Sequence, residues 1–290
     1  MIGQPRFLPP ASLPAVNYRH AFHAGNFADL VKHMTLIRLL ASLTADPAPL
    51  TIVDTHAGAG GYDLDGELAR RTGEAAQGVF RLMQAADAPA VFDPLKAAVR
   101  AGNPDGGVRV YPGSPTLIGH ALRKGDRYVG CELRDDDFAL LTQTLKPWPG
   151  AMALQADGFA TAQCIAGQGG RLFVLIDPPF ERSDDYARIA DTIDTVLGLD
   201  PSACVAVWLP LKDLETFDAF LRRIEPSAAR FLVAECRLKP LIDPMKMNGC
   251  AMVVANPPEG VAPDIDQACV WVAERLGDPG GRGAVWFTGT

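Results

Sequence analysis

A chain of 290 residues, 48% hydrophobic and 21% charged, has the composition of a globular protein that can bury a sizeable core, in one large domain or two smaller ones. Its formal charge of −7 argues against a protein that coats nucleic acid non-specifically, while leaving room for one local basic patch. No apolar run approaches the roughly 20 residues of a membrane span, and the first residues lack the apolar core of a signal peptide, so a cytoplasmic protein with no membrane partner is expected. The six cysteines, Cys131, Cys164, Cys204, Cys236, Cys250 and Cys269, form no C-x-x-C pair and read as reduced core residues.

In chain order, residues 1–16 carry Pro5, Pro9, Pro10 and Pro14 and read as a flexible leader. A polar, aromatic stretch follows from Asn17 to Asn26. Phe27, Leu30, Val31, Met34, Ile37, Leu40 and Leu43 then recur at helical spacing, with Asn26 as the N-cap. Leu50–Val53 is a short strand ending at Asp54, and the loop Thr55-His56-Ala57-Gly58-Ala59-Gly60-Gly61 comes next. From Tyr62 to about Val108 the pattern is helical, around Glu74–Ala86 and Val91–Ala101, without a good strand. Ser114 caps a further helix whose first position is Pro115. Thereafter strand-like runs at Tyr128–Leu133, Ala151–Gln155, Leu172–Ile176, Ala203–Leu209, Arg230–Cys236 and Ala251–Ala255 alternate with helical stretches. A helix at Asp264–Leu276 and a short strand at Ala284–Phe287 close the chain. Such alternation predicts an α/β fold with a mostly parallel, seven-stranded, Rossmann-like sheet flanked by helices.

The chemistry-bearing residues fall at strand ends, where open α/β sheets place their ligands. Asp54 ends the first strand, and Gly58, Gly60 and Gly61 let the next loop turn tightly and approach a ligand. It is not a phosphate-binding loop of the Gly-Lys-Ser/Thr type. A nucleoside-binding unit adds an acid about 20 residues later, at the end of the second strand, for the ribose hydroxyls. The strand-end acid here is Glu132, far too late for an uninterrupted unit. We read 62–108 as an inserted helical subdomain within a domain formed by 17–61 and 109–290. The alternative is that Asp63 or Asp65 plays the part, and neither ends a strand. Asp157 closes a third strand, either accepting from an adenine amino group or capping a helix. Asp177-Pro178-Pro179-Phe180 closes the fourth, delivering a carboxylate, a rigid turn and an aromatic ring to one place. Acids at four successive strand ends outline a cofactor trough beside a reactive turn. Asn256-Pro257-Pro258 lacks the aromatic, comes too late, and reads as a structural strand terminator. His20 and His23, with His33 and Asp29, could suggest a zinc site, but the two histidines lie in a non-helical stretch without an accompanying cysteine, so no metal is expected. Arg70-Arg71 and Arg222-Arg223 serve either as phosphate contacts or as solvated helix faces.

Taken together, this pattern resembles the class I S-adenosylmethionine-dependent methyltransferases, and Asp-Pro-Pro-Phe is similar to the turn of the branch that methylates exocyclic amino nitrogens. A closer resemblance is carried by Tyr18-Arg19-His20-Ala21-Phe22-His23-Ala24-Gly25-Asn26 with its continuation to His33, by Asp54-Thr55-His56-Ala57-Gly58-Ala59-Gly60, by Tyr111-Pro112-Gly113-Ser114-Pro115, by Ala156-Asp157-Gly158-Phe159 and by Asp177-Pro178-Pro179. In this order they resemble the 23S rRNA adenine-2030 N6-methyltransferase family, large-subunit methyltransferase J, over essentially Asn17 to the C-terminus. The resemblance implies S-adenosylmethionine as cofactor, S-adenosylhomocysteine as product, and no metal. It implies cofactor contacts at Lys32 or His33, His56, Ser114, Glu132, Asp157 and Gly158, beside Asp54, Gly58 and Asp177. It makes Asp177 the catalytic acid, with Pro178 and Phe180 holding the base, and Tyr18 an RNA contact, with Arg19, His20 and His23 beside it. The partner is then 23S rRNA, free or in early assembly, met by a monomer. Phe180 stands where the family commonly has tyrosine, which removes a hydroxyl and keeps a stacking face. The same turn would also serve a DNA adenine or protein amino-group methyltransferase, and a catalytically inactive RNA-binding module is the reading from another class.

Overall fold

The computed structural model describes residues 20–227, 229–241 and 247–288; the expected leader and the expected RNA contacts Tyr18 and Arg19 lie outside them. Ten strands are described: β1 Leu50–Asp54, β2 Gly61–Asp63, β3 Val110–Pro112, β4 Arg127–Cys131, β5 Ala151–Leu154, β6 Arg171–Ile176, β7 Cys204–Leu211, β8 Phe231–Arg237, β9 Gly249–Ala255 and β10 Arg282–Thr288. Eight of them form one sheet in the order β10-β8-β9-β7-β6-β1-β4-β5. The neighbours β5, β4, β1, β6 and β7 run parallel, and β9 is antiparallel to both β7 and β8.

The central strands are apolar on both faces because helices cover both. Ile52 and Phe173 join one apolar layer with the helices Phe27–Leu43 and Ala262–Leu276, while their neighbours Val53 and Val174 join the other with Gly158–Ala166, Asp185–Leu199 and Leu214–Ile224. Alternate residues of a strand thus feed opposite layers, the period of two expected of extended chain. The segment after the glycine loop contains the helices Glu67–Thr72, Glu74–Gln77, Val79–Gln84 and Asp93–Ala101. Its Val79, Leu82, Phe92 and Leu95 are buried in the first layer, with the Phe92 ring 5.2 Å from that of Trp271.

Four expectations need correction. The sheet has eight strands rather than seven, because the closing strand β10 pairs antiparallel with β8 along its whole length. The helical segment is flanked by a strand pair after all: β2 pairs with β3, three residues each, too short for any periodicity to register. Ser114 begins its helix instead of capping it, with Gly113 at the cap, and its hydroxyl is used elsewhere. Cys164 is exposed, whereas the other five cysteines are buried free thiols. Among the described residues no helix is long and apolar enough to cross a membrane.

Strand β10 lies so close to the Ala262–Leu276 helix that Gly283 has no room for a side chain. A Cβ there would stand 2.3 Å from the Cys269 carbonyl carbon and the Val270 nitrogen. Gly283→Ala is therefore expected to destabilise the fold by about 1–3 kcal/mol, the usual cost of forcing packed elements apart. The check is a lowered urea midpoint; an unchanged midpoint would contradict this packing.

Candidate functional site

The C-terminal ends of β1, β4, β5 and β6 lie along one edge of the sheet and open onto a cavity of about 500 Å³, within the range of small-molecule sites. Three of the four strand-end acids, Glu132, Asp157 and Asp177, line it, together with Lys32, His33, His56, Gly58, Ser114 and Gly158. Pro178 and Phe180 form the wall beside Asp177, and His20 and His23 stand on the rim nearest the start of the described chain.

Asp54 differs from its expected place, being fully buried behind the glycine loop rather than in the cavity wall. Its Oδ2 accepts a 2.6 Å hydrogen bond from the Ser114 hydroxyl and a longer one, 3.3 Å, from Tyr128. Burial pushes its carboxyl up to about 6, and the charge of Asp177 pushes the same way against the Ser114 hydrogen bond. Asp54 therefore fixes Ser114, and Ser114 meets the cavity.

The glycine loop is held from the neighbouring strand. The Ala57 N–H donates to the Cys131 carbonyl at 2.8 Å, and the Gly58 N–H donates to Glu132 Oε2 at 3.1 Å. Gly58 has φ +62°, and a Cβ would come within 2.3 Å of the Tyr62 hydroxyl, so only glycine fits this approach. The other Glu132 oxygen accepts from the Arg134 N–H at 2.8 Å. Burial raises the Glu132 carboxyl above its ordinary value.

At the third strand end the structure shows the capping reading of Asp157. Oδ1 caps the Gly158–Ala166 helix through the Ala160 N–H at 3.1 Å, while Oδ2 pairs with Arg188 at 2.6 Å. Burial works upward on this carboxyl, yet the Ala160 N–H and the Arg188 guanidinium bring it below its ordinary value. Arg188, which sequence reasoning missed, also lies 4.4 Å above the Phe159 ring. At Gly158 the backbone passes so close to Thr55 that a Cβ would be 1.9 Å from its carbonyl oxygen.

Asp177 is held by a buried lysine. Lys32 Nζ lies 2.6 Å from Asp177 Oδ2 and 3.0 Å from Asp29 Oδ1, with only 7% of the lysine side chain exposed. Burial works against this ammonium, but the two carboxylates raise it well above the usual lysine range. Asp29 accepts in addition from His20 Nε2 at 3.0 Å and from the Gly25 N–H at 2.9 Å. Burial alone would raise the Asp29 carboxyl; His20, Lys32 and His33 hold it well below its ordinary range. Sequence reasoning weighed Asp29 only as a possible metal ligand and missed its pairing with Lys32, although their i,i+3 spacing on a capped helix is a usable signal.

The turn itself is strained. Phe180 has φ +52°, a region that bulky residues avoid, and its ring packs against Tyr186 at 5.2 Å and Trp208 at 5.7 Å. The histidines divide by environment. His56 lies between the Thr55 hydroxyl, 2.8 Å from Nδ1, and the Phe159 ring, and burial pushes it down to about 4. His23 bonds Glu74 at 2.8 Å, which raises its pKa. Among the described residues no group of three His, Cys, Asp or Glu side chains is arranged to hold a metal ion. Arg70 and Arg223 are exposed partners of Asp65 and Asp191, on solvated helix faces away from the cavity.

Against known proteins, residues 47–288 match the family model described as "Ribosomal RNA large subunit methyltransferase D, RlmJ". The chain is 33% identical over 270 residues to the "Ribosomal RNA large subunit methyltransferase J" of Escherichia coli strain K12, covering 92% of this chain and 96% of that one. It is 29% identical over 279 residues to the protein of the same name from Haemophilus influenzae, covering 94% and 99%. A crystal structure of a Legionella pneumophila protein, 27% identical, superposes with a TM-score of 0.83 and covers 92% of this chain and 98% of its own.

His33 supplies a pH test of the site's packing. Its Nδ1 lies 2.8 Å from the Tyr111 hydroxyl, and burial pushes the imidazole from 6.5 down to about 3. The unfolded chain takes up this proton at a higher pH than the folded one, so the histidine's contribution is whole above pH 6.5 and is lost as pH falls toward 3. His33→Gln is expected to flatten the decline of unfolding free energy between pH 6.5 and 4, a window shared with His56. Urea titrations at fixed ionic strength measure it, and an unaltered slope would remove His33 as a source of the decline.

Proposed function

The chain belongs to the RlmJ family of large-subunit ribosomal RNA methyltransferases, and from that premise we propose that it methylates the exocyclic N6 of an adenine in 23S rRNA, the adenine-2030 site by resemblance. The observation that carries this reading is the Asp177 carboxylate, set beside Pro178 and Phe180 and tied to Lys32 at 2.6 Å. S-adenosylmethionine is the cofactor of the family and supplies an electrophilic methyl on a sulfonium. The residues present fit it: Glu132 for the ribose hydroxyls, Asp157 and Gly158 for the adenine, and the Gly58 loop with His56, Ser114 and Lys32 or His33 near the amino-acid end. That these residues line one cavity supports that fit.

Adenine N6 is a poor nucleophile because its lone pair is delocalised into the ring. In the proposed mechanism one N–H donates to Asp177 and the other to the Pro178 carbonyl, which favours a pyramidal nitrogen. The two prolines fix that carbonyl beforehand, so the gain is preorganisation rather than added affinity. Lys32 holds Asp177 Oδ2 and leaves Oδ1 to accept. Phe180 stacks on the base, a contact worth roughly 1–3 kcal/mol in comparable sites, and the base must leave its own stack to arrive there. After transfer the proton passes to Asp177 or to water, so orientation is the larger role of the carboxylate. We assign this chemistry to segments 17–61 and 109–290, acting as a monomer on 23S rRNA that is free or in early assembly. We assign 62–108 as a helical insertion, and Tyr18, Arg19, His20 and His23 to the RNA side of the mouth.

Transfer of labelled methyl to rRNA from cells lacking this protein, followed by nucleoside analysis, tests the reading. Label is expected in N6-methyladenosine; label in N2-methylguanosine, or none in RNA, would overturn it. Asp177→Ala is expected to lower kcat on the order of 10²–10⁴-fold with cofactor binding largely retained. Full turnover by that variant would remove Asp177 from its role.

A further inference from the structure

Behind the Asp-Pro-Pro-Phe turn lies a second cavity of about 190 Å³. Phe180, Arg182, Pro210 and Lys212 border both cavities, so the aromatic ring stands as a partition between them. Below the size of ordinary small-molecule sites, it suits one base or one sugar-phosphate unit.

Its chemistry combines an aromatic wall with cations. Tyr186 lies against Phe180 at 5.2 Å and is half-buried, leaving ring surface toward the cavity. Arg182 is occupied by Asp184 at 2.9 Å, but Lys212 is exposed and makes no ion pair among the described residues. Its backbone is fixed: the Lys212 carbonyl accepts from Asn248 Nδ2 at 2.8 Å, and the preceding Leu211 carbonyl accepts from the Asn248 N–H at 2.8 Å. Among the described lining residues the one acid, Asp213, is turned to the helix that starts there, accepting from the Thr216 N–H at 2.7 Å and its hydroxyl at 3.1 Å. A π-face beside an exposed ammonium on a rigid strand end is a combination that recognises a nucleotide, the ring taking the base and the cation the phosphate.

We propose that this cavity is the subsite for the nucleotide adjoining the target adenine. Lys212 contacts the phosphate between the two, and the Tyr186 side of the Phe180 partition receives the neighbouring base. This rests on the RNA-methylating reading above. Holding the flanking nucleotide on the far side of Phe180 would keep the target base on the near side, where Asp177 can reach it.

The test is methylation of unmodified 23S rRNA transcript by the full chain over a range of salt. Lys212→Ala is expected to raise KM for the transcript about 3–10-fold, with less than a twofold change in kcat. The slope of log affinity against log salt should become shallower by about 0.7–0.9, the change expected when one fewer phosphate is neutralised, and Lys212→Arg should restore both. A wild-type KM and salt slope in Lys212→Ala, or a loss confined to kcat, overturns the subsite while leaving the methyltransferase reading intact. Absence of methyl transfer by the wild-type chain overturns the reading and the subsite together.

Discussion

The structure around the cavity depends on the Lys32 ammonium, sealed between Asp29 and Asp177. An unpaired charge in that position costs several kcal/mol, and losing one partner of a buried pair leaves the other uncompensated. The Phe27–Leu43 helix delivers Asp29 and Lys32 one turn apart, and β6 brings Asp177 from 145 residues away. The two elements are thereby fixed in register where chemistry needs them. What fixes the helix start is the segment after the glycine loop: the Val79 N–H donates to the Gly25 carbonyl at 2.8 Å, and Glu74 accepts from Asn26 at 2.9 Å and bonds His23 at 2.8 Å. Residues distant from the strand ends in sequence thus set the orientation of the group that holds Asp177.

The second constraint is the strained turn. Left-handed backbone at a bulky residue costs on the order of 1–3 kcal/mol and persists only where its surroundings over-determine it. At Phe180 those surroundings include Tyr186 and Trp208, which pack against the ring. Asn256, in the other X-Pro-Pro turn, has a similar φ of +49° at lower cost, since asparagine tolerates that region. Its amide donates to the Pro201 and Ala203 carbonyls at 2.9 and 3.0 Å, tying down a loop. One turn uses strain to present a ring to a cavity; the other closes a strand.

These contrasts explain what could be read from the sequence. The sheet was legible because runs such as Leu172–Ile176 are apolar on both faces and end at Asp or Pro, signals that survive without tertiary information. Asp177, Glu132 and Asp157 could be placed for the same reason, since a strand end fixes which edge a residue occupies. Side-chain direction could not. Asp54 ends a strand as they do, yet it turns inward to Ser114 and Tyr128. Ser114 precedes a proline at a helix start, where a cap is the local expectation, and a buried carboxylate 60 residues away takes its hydroxyl instead. Arg188 was invisible because its meaning is a contact with Asp157, 31 residues earlier, which no spacing rule encodes.

The acidic balance of the chain, which at first weighs against an RNA substrate, acquires a physical meaning in the structure. Many surface carboxylates are already matched locally, Asp63 with Arg109, Asp136 with Arg134, Asp184 with Arg182 and Asp191 with Arg223. Fields from exposed charges fade over about 8 Å at physiological salt, so a phosphate at the cavity mouth responds to the few groups beside it rather than to a net charge of −7. Weak long-range attraction also removes most non-specific binding to nucleic acid, whose affinity is almost wholly electrostatic. An enzyme of this kind must then obtain affinity from short-range features, such as the aromatic ring at Phe180 and a carboxylate fixed by a buried lysine. A net negative charge is in that sense compatible with a ribosomal RNA substrate, because it leaves recognition to contacts made at short range.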